Sequence, residues 1–312
     1  MKSALVTGGA GFIGSHLVDC LLAGGWRVTV IDNFDDFYDP AAKQVNIREN
    51  LKNSNYVLAR EDIRDVGSML RCLSGRYNVV VHLAARAGVR QSIEDPVLCQ
   101  EVNVVGTQNM LELARRLQIK QFVFASSSSV YGSNSNVPWR EDDCGLLPIS
   151  PYAASKVSGE LLGHVYSHLY GIRFIALRLF TVYGPRQRPD LAIHKFARLM
   201  LAGKTIPVYG DGKVRRDFTY IDDTVKGIRE AMNYTGSMYE AVNLGAGHSV
   251  ELMQVIKFLE SLLQVKAKIE YHPSSPGDVP QTLADISKAR RILGYEPAVS
   301  FEDGLRRFCT WL

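Results

Sequence analysis

An α/β fold built on a parallel, doubly wound sheet follows from three features of the chain. Short apolar runs alternate with helically periodic segments through the first half. The first run, Ala4-Leu5-Val6, meets a glycine-rich turn over residues 7–14 that opens into a helical pattern over 15–23. The second run, 28–31, ends in Asp32, eighteen residues past Gly14. Strands joined through helices return in parallel. A glycine turn between strand and helix, with an acid at this distance, marks a Rossmann dinucleotide site.

In order, the turn reads Thr7-Gly8-Gly9-Ala10-Gly11-Phe12-Ile13-Gly14. Glycine tolerates positive φ and lets a pyrophosphate approach the backbone. The helix that follows aims its first N–H groups at the anion. Gly8, Gly11, Phe12, Ile13 and Gly14 are therefore expected to hold the diphosphate. Asp32, with Asn33 beside it, is placed to hold ribose hydroxyls, which favours NAD over NADP. Further strands are expected at Tyr56–Ala59, 79–83, 121–125 and 174–178, and helices at 66–73, 102–117 and 153–170. Ligands in such sheets lie beyond the C-terminal strand ends. The informative positions are thus Asp32, Asp62, Leu83-Ala84-Ala85, Ser126 to Ser129, and Phe180-Thr181.

After Thr181 the pattern changes. Gly184-Pro185 breaks the chain, a helix is expected over 190–201, a strand over 206–209, and a turn at Asp211-Gly212. Tyr239–Leu244 is expected to rejoin the main sheet, and 273–280 to form a loop. Residues 1–180, with roughly 220–245, should form the NAD-binding part. Residues 181–219 and 246–312 should form a smaller interleaved C-terminal lobe that closes over a substrate.

Tyr152-Ala-Ala-Ser-Lys156 places a phenol and an ammonium on one helix face. A free tyrosine titrates near ~10 and is a poor base at neutrality. The lysine charge, with the positive ring of NAD⁺, is expected to lower that value. Ser127, twenty-five residues upstream, can share the substrate proton. Ser127, Tyr152 and Lys156 are the expected catalytic set.

These residues resemble the extended short-chain dehydrogenase/reductase family along essentially the whole chain. The similar stretches are 7–14, His82-Leu-Ala-Ala85, 126–132, 152–156, 177–185, Arg216-Asp-Phe-Thr-Tyr-Ile-Asp222 and Pro276-Gly-Asp278. The resemblance implies oxidation of a nucleotide sugar at C4 with NAD retained through turnover. It also implies Asp62 and Ile63 at the adenine, Leu83, Ala84, Ala85 and Asn103 along the cofactor, Arg216 at the diphosphate, Tyr209 stacked on uracil and Asp278 on a ribose hydroxyl. Resembling dehydratases carry Asp-Glu, and decarboxylases Glu, where this chain has Ser128 and Ser129. A hydroxyl cannot replace those acids near neutrality, which leaves epimerisation.

Asp35-Asp-Phe-Tyr-Asp39, Ala87-Gly-Val-Arg90, Tyr166-Ser-His-Leu-Tyr-Gly171 and Phe180-Thr-Val-Tyr-Gly-Pro185 resemble UDP-glucuronate 4-epimerases. UDP-glucose 4-epimerases are less similar, tending to Asn at Thr181, Arg at Ser275 and Tyr at Thr282. Ser128, Thr181 and Arg188 could hold a C6 carboxylate, with Arg90 as a rival to Arg188. Held near the C4–C5–C6 plane, that carboxylate would resist loss as CO₂ from a 4-keto intermediate. The neutral-sugar epimerase and a non-enzymatic NAD-binding scaffold remain the alternatives.

Composition narrows the rest. Thirty-six basic against 32 acidic residues give a charge of +4, too small to suggest a nucleic-acid partner. No apolar run nears the ~18 residues that span a bilayer, and no signal-peptide pattern opens the chain. Cys20, Cys72, Cys99, Cys144 and Cys309 form no C-x-x-C spacing, and the seven histidines form no metal pattern. His16, His82, His164 and His168 are expected to be structural. A reduced, cytoplasmic protein without a metal is expected. A homodimer is expected too, paired through helices 102–117 and 153–170.

Overall fold

The computed structural model describes residues 1–73, 75–143, 145–274 and 277–312; Cys144, Ser275 and Pro276 lie outside the described residues. Six strands build the main sheet in the first half: β1 (Ser3–Thr7), β2 (Arg27–Ile31), β3 (Tyr56–Ala59), β4 (Val79–His82), β5 (Gln121–Ser127) and β6 (Arg173–Leu179). The Tyr239–Leu244 strand joins them as expected, giving the order Tyr239–Leu244, β6, β5, β4, β1, β2, β3. Every pairing in the sheet is parallel. The order reverses between β1 and β4, so the crevice lies at the C-terminal ends of those two strands.

Alternation along the strands sorts the two cores. Val6, Val30, Val81, Val123 and Leu177 pack on one face with the Phe12–Ala23 helix and with C-terminal residues such as Tyr183, Leu259 and Phe308. Leu5, Ile31, Val80, Phe122 and Phe174 pack on the other with Met110, Leu111 and Tyr166. The C-terminal segments thus extend the core of one sheet face. Three small two-stranded sheets carry the later part: Thr181–Tyr183 with Phe218–Tyr220, Arg215–Arg216 with Val250–Glu251, and Thr205–Tyr209 with Lys268–His272.

The Pro151–Tyr170 helix positions the expected catalytic pair. Ser150 caps it, its Oγ accepting from Ala153 N at 3.1 Å, and Pro151 occupies the first turn. Gly159 lies directly over the Phe124 ring, where a Cβ would collide with the ring carbons. That close approach seats the helix against β5, the strand carrying Ser127.

Two differences from expectation bear on the site. The helix expected over 102–117 is the Gly106–Arg116 helix preceded by a π turn at Glu101–Val105. The wider turn holds Asn103 inward, buried at 2% exposure. Three short helices, Pro40–Ile47, Val89–Glu94 and Pro96–Gln100, were not expected.

Candidate active site

A cleft of about 470 Å³ opens over the reversal point of the sheet. Gly8, Gly11, Phe12, Ile13, Gly14, Asp32, Asn33, Asp62, Ile63, Leu83, Ala84 and Ala85 all line it. So do Ser127, Tyr152, Lys156, Ser128, Thr181 and Arg188. Residues from the ends of six strands thus meet in one space.

Gly8 has φ +69°, and a Cβ there would strike the Ala84 backbone. The glycine therefore lets the first turn and the 83–85 segment touch. Gly11 starts the Phe12–Ala23 helix with no side-chain cap, so the first N–H groups stay open to an anion. Asp32 is 6% exposed; its Oδ2 accepts from Ala10 N at 3.0 Å and its Oδ1 from Phe34 N at 2.9 Å. Asp62 accepts from Asn33 Nδ2 at 2.9 Å and pairs with Arg64, which holds its carboxyl below the usual range. Uncapped helix, glycine cradle and buried acid together fit a dinucleotide such as NAD.

Asn103 does not line the cleft. Its Oδ1 accepts from Arg86 N at 2.8 Å, while its Nδ2 donates to Arg86 O at 3.1 Å and Ser155 Oγ at 2.9 Å. The residue expected along the cofactor thus fixes the wall from behind, tying Arg86 to Ser155 on the Pro151–Tyr170 helix. His82 does likewise. Burial holds it neutral, at about 3, and Thr107 Oγ1 donates to Asn103 O. That assigns the proton to Nε2 of His82, facing Thr107 at 3.1 Å; Nδ1 then accepts from Thr7 Oγ1 at 2.7 Å. Thr7 Oγ1 in turn accepts from Ala84 N at 3.1 Å.

Tyr152 and Ser127 line the cleft together, and burial raises the phenol while the Ser127 hydroxyl and the Arg188 charge oppose that. Lys156 sits 5.7 Å from the centre of the Tyr152 ring and donates to Ala125 O at 2.7 Å. Burial draws the ammonium down to about 8. The protein alone therefore does not lower Tyr152. The positive ring of an oxidised nicotinamide is the charge that would.

Arg188 is held by Asp190, with Nε at 2.9 Å and Nη2 at 2.8 Å, and Nη2 also donates to Ala87 O at 3.1 Å. Its Nη1 has no hydrogen-bond partner among the described residues. The segments around Ser127 and Tyr152 that line the cleft, 125–129, 152, 156, 179–182, 188 and 191, contain no carboxylate.

Tyr209, Arg216 and Asp278 do not line this cleft and form a second group with Arg90. The Arg90 guanidinium carbon lies 4.0 Å from the Tyr209 ring centre. Asp278 stands 3.4 Å from Arg90 Nη2 and 3.8 Å from Arg216 Nη2. Arg90, the rival to Arg188 for a carboxylate, thus sits against Tyr209 and Asp278 and does not line the cleft that Arg188 lines. A third group escaped the sequence reading. The Phe37 ring lies 4.8 Å from the guanidinium carbon of Arg86 and 5.2 Å from that of Arg188. Arg86 follows Ala85 directly at the β4 end, so the strand-end rule could have reached it.

A family model described as GDP-mannose 4,6 dehydratase matches residues 5–308. A UDP-glucuronate 4-epimerase of Thermodesulfobacterium geofontis is 43% identical over 310 residues, 98% of this chain and 95% of that one. The crystal structure of UDP-glucuronic acid 4-epimerase from Bacillus cereus, in complex with UDP-glucuronic acid and NAD, superposes with a TM-score of 0.93. It is 39% identical and covers 99% of this chain and 98% of its own. UDP-glucose 4-epimerase from Thermotoga maritima, solved with UDP-glucose, reaches 0.91 at 35% identity, with 99% and 98% covered.

Proposed function

Because the chain belongs to the GDP-mannose 4,6 dehydratase family, within the extended short-chain dehydrogenase/reductases, we propose that it interconverts UDP-glucuronate and UDP-galacturonate at C4. The family model carries a dehydratase's description, but this chain has Ser128 and Ser129 where dehydration needs acids. No carboxylate from the lining segments around Tyr152 replaces them. Return of the hydride, which is epimerisation, is the remaining chemistry.

NAD, when bound, supplies the hydride acceptor and donor for C4. Gly8, Gly11, Phe12, Ile13 and Gly14 would hold its diphosphate, Asp32 and Asn33 its ribose, Asp62 and Ile63 its adenine, and Leu83 to Ala85 the wall beside it. Tyr152 takes the proton from the C4 hydroxyl and later returns it. Ser127 bonds the same oxygen, and Lys156 contributes positive charge next to the phenol. Arg216, Tyr209 and Asp278 grip the UDP while the 4-keto sugar turns to show its other face. Residues 181–219 and 246–312 are assigned to this nucleotide-sugar lobe.

One observation carries the uronate assignment: Arg188 lines the same cleft as Ser128 and Thr181, and its charge reaches Tyr152. A C6 carboxylate has a guanidinium edge to meet there. The hold of Asp190 on that fork favours a second reading, a neutral UDP-glucose substrate. Purified protein given UDP-glucuronate or UDP-glucose, without added NAD, decides between them by NMR of the products.

An apolar stripe supports a homodimer. Leu161, Val165 and Leu169 are 64%, 45% and 60% exposed, spaced four apart along the Pro151–Tyr170 helix. Val97, on the Pro96–Gln100 helix, and Val105, within the other helix expected to pair, add exposed apolar surface. A second copy would cover the stripe, and light scattering would show twice the monomer mass. No helix among the described residues is long and apolar enough to cross a membrane. Free cysteines and a nearly balanced charge suit the cytoplasm.

A further inference from the structure

We propose that Arg90 occupies the stacking face of Tyr209 and must be displaced for the uracil of a UDP-sugar to bind. The inference rests on the reading of Tyr209, Arg216 and Asp278 as the nucleotide subsite. Arg90 comes from the Val89–Glu94 helix, whereas Tyr209 ends a strand more than a hundred residues later. Its guanidinium carbon stands 4.0 Å from the Tyr209 ring centre, within stacking distance. A guanidinium is a planar, delocalised group that stacks on aromatic faces, as a pyrimidine does. The two groups therefore compete for one surface.

Charge follows the same substitution. Asp278 lies between Arg90 at 3.4 Å and Arg216 at 3.8 Å. Burial already lowers Arg216's hold on its proton, and Asp278 is the nearby charge that opposes this. If Asp278 turns to a ribose hydroxyl, both arginines lose their carboxylate. A diphosphate offers the replacement anion. The cluster thus holds internal stand-ins for its ligand, a guanidinium plane for the base and a carboxylate for the phosphates. Arg90 also joins the Val89–Glu94 helix to the later strand, so its release loosens the entrance as the nucleotide arrives.

The test is calorimetric titration of the full-length protein with uridine and with UDP, for wild type, Arg90→Ala and Tyr209→Ala. Uridine carries no phosphate, so it reads competition for the ring without the charge. Arg90→Ala should tighten uridine about two- to five-fold, the scale of one exposed cation–π contact. An unchanged or weaker uridine affinity overturns the displacement. Tyr209→Ala should weaken both ligands. If it weakens neither, the subsite reading itself fails. If it weakens both while Arg90→Ala leaves uridine unaffected, only the displacement fails. Arg90 is 42% exposed at its side chain, and circular dichroism of Arg90→Ala checks that the fold is kept.

Discussion

Arg188 and Asp190 are joined edge to edge, Nε to Oδ1 at 2.9 Å and Nη2 to Oδ2 at 2.8 Å, leaving the Nη1 side of the guanidinium for another anion. Asp190 thereby fixes the plane of the fork without using all of it. Arg188→Ala should lower kcat/KM for UDP-glucuronate by about 10- to 100-fold, the scale of a hydrogen bond to a charged group. UDP-glucose turnover should change far less. Steady-state kinetics on both sugars checks this; equal losses on both would place Arg188 outside carboxylate recognition.

Phe37 transmits order to the same arginine. Its ring is flanked by Arg86 and Arg188, and Arg86 is anchored on Asp35 at 2.7 Å. Phe37→Leu keeps an apolar side chain but removes both cation–π contacts, each worth about 0.5–1 kcal/mol. The expected outcome is a rise of about three- to ten-fold in KM for UDP-glucuronate with kcat nearly kept. A fall in kcat alone, with KM unmoved, would contradict a role in holding Arg188.

Lys156 is expected to set a basic limit on turnover. Its ammonium titrates near 8, because burial penalises the charge. The sign is direct: below that value the charge beside Tyr152 is present, and above it the charge is lost. The rate should therefore fall as pH rises through about 8. Lys156→Arg, whose guanidinium stays charged, should retain a reduced rate but lose that limb. A pH–kcat profile with the same basic limb in both proteins would assign it elsewhere.

Much of this was legible locally. The 7–14 turn, Asp32 and the 152–156 pair depend on neighbours within one βαβ unit, so spacing alone places them. Tyr239–Leu244 was legible as a strand, and its parallel partner β6 follows from the doubly wound pattern. Two of the three missed helices had a local signal too: Asp39-Pro40 and Asp95-Pro96 each set a capping acid before a first-turn proline. Their brevity hid them. Asn103 was harder, because the π turn that carries it inward answers to Arg86 and Ser155 across space. The same holds for Phe37 between its arginines and for Arg90 on Tyr209. The direction of the Tyr152 titration in the protein alone was illegible for a different reason. Residue type announces a lysine four residues on, but only the packed structure shows that burial raises the phenol and that Lys156 donates to Ala125 O.

The central claim is that hydride leaves C4 and returns to C4 within one closed site. UDP-glucuronate carrying deuterium at C4 tests it, with the enzyme as purified and no added NAD. The product UDP-galacturonate should retain the deuterium at C4, seen by NMR and mass spectrometry. Label appearing in solvent water while the product carries hydrogen at C4 would contradict the account.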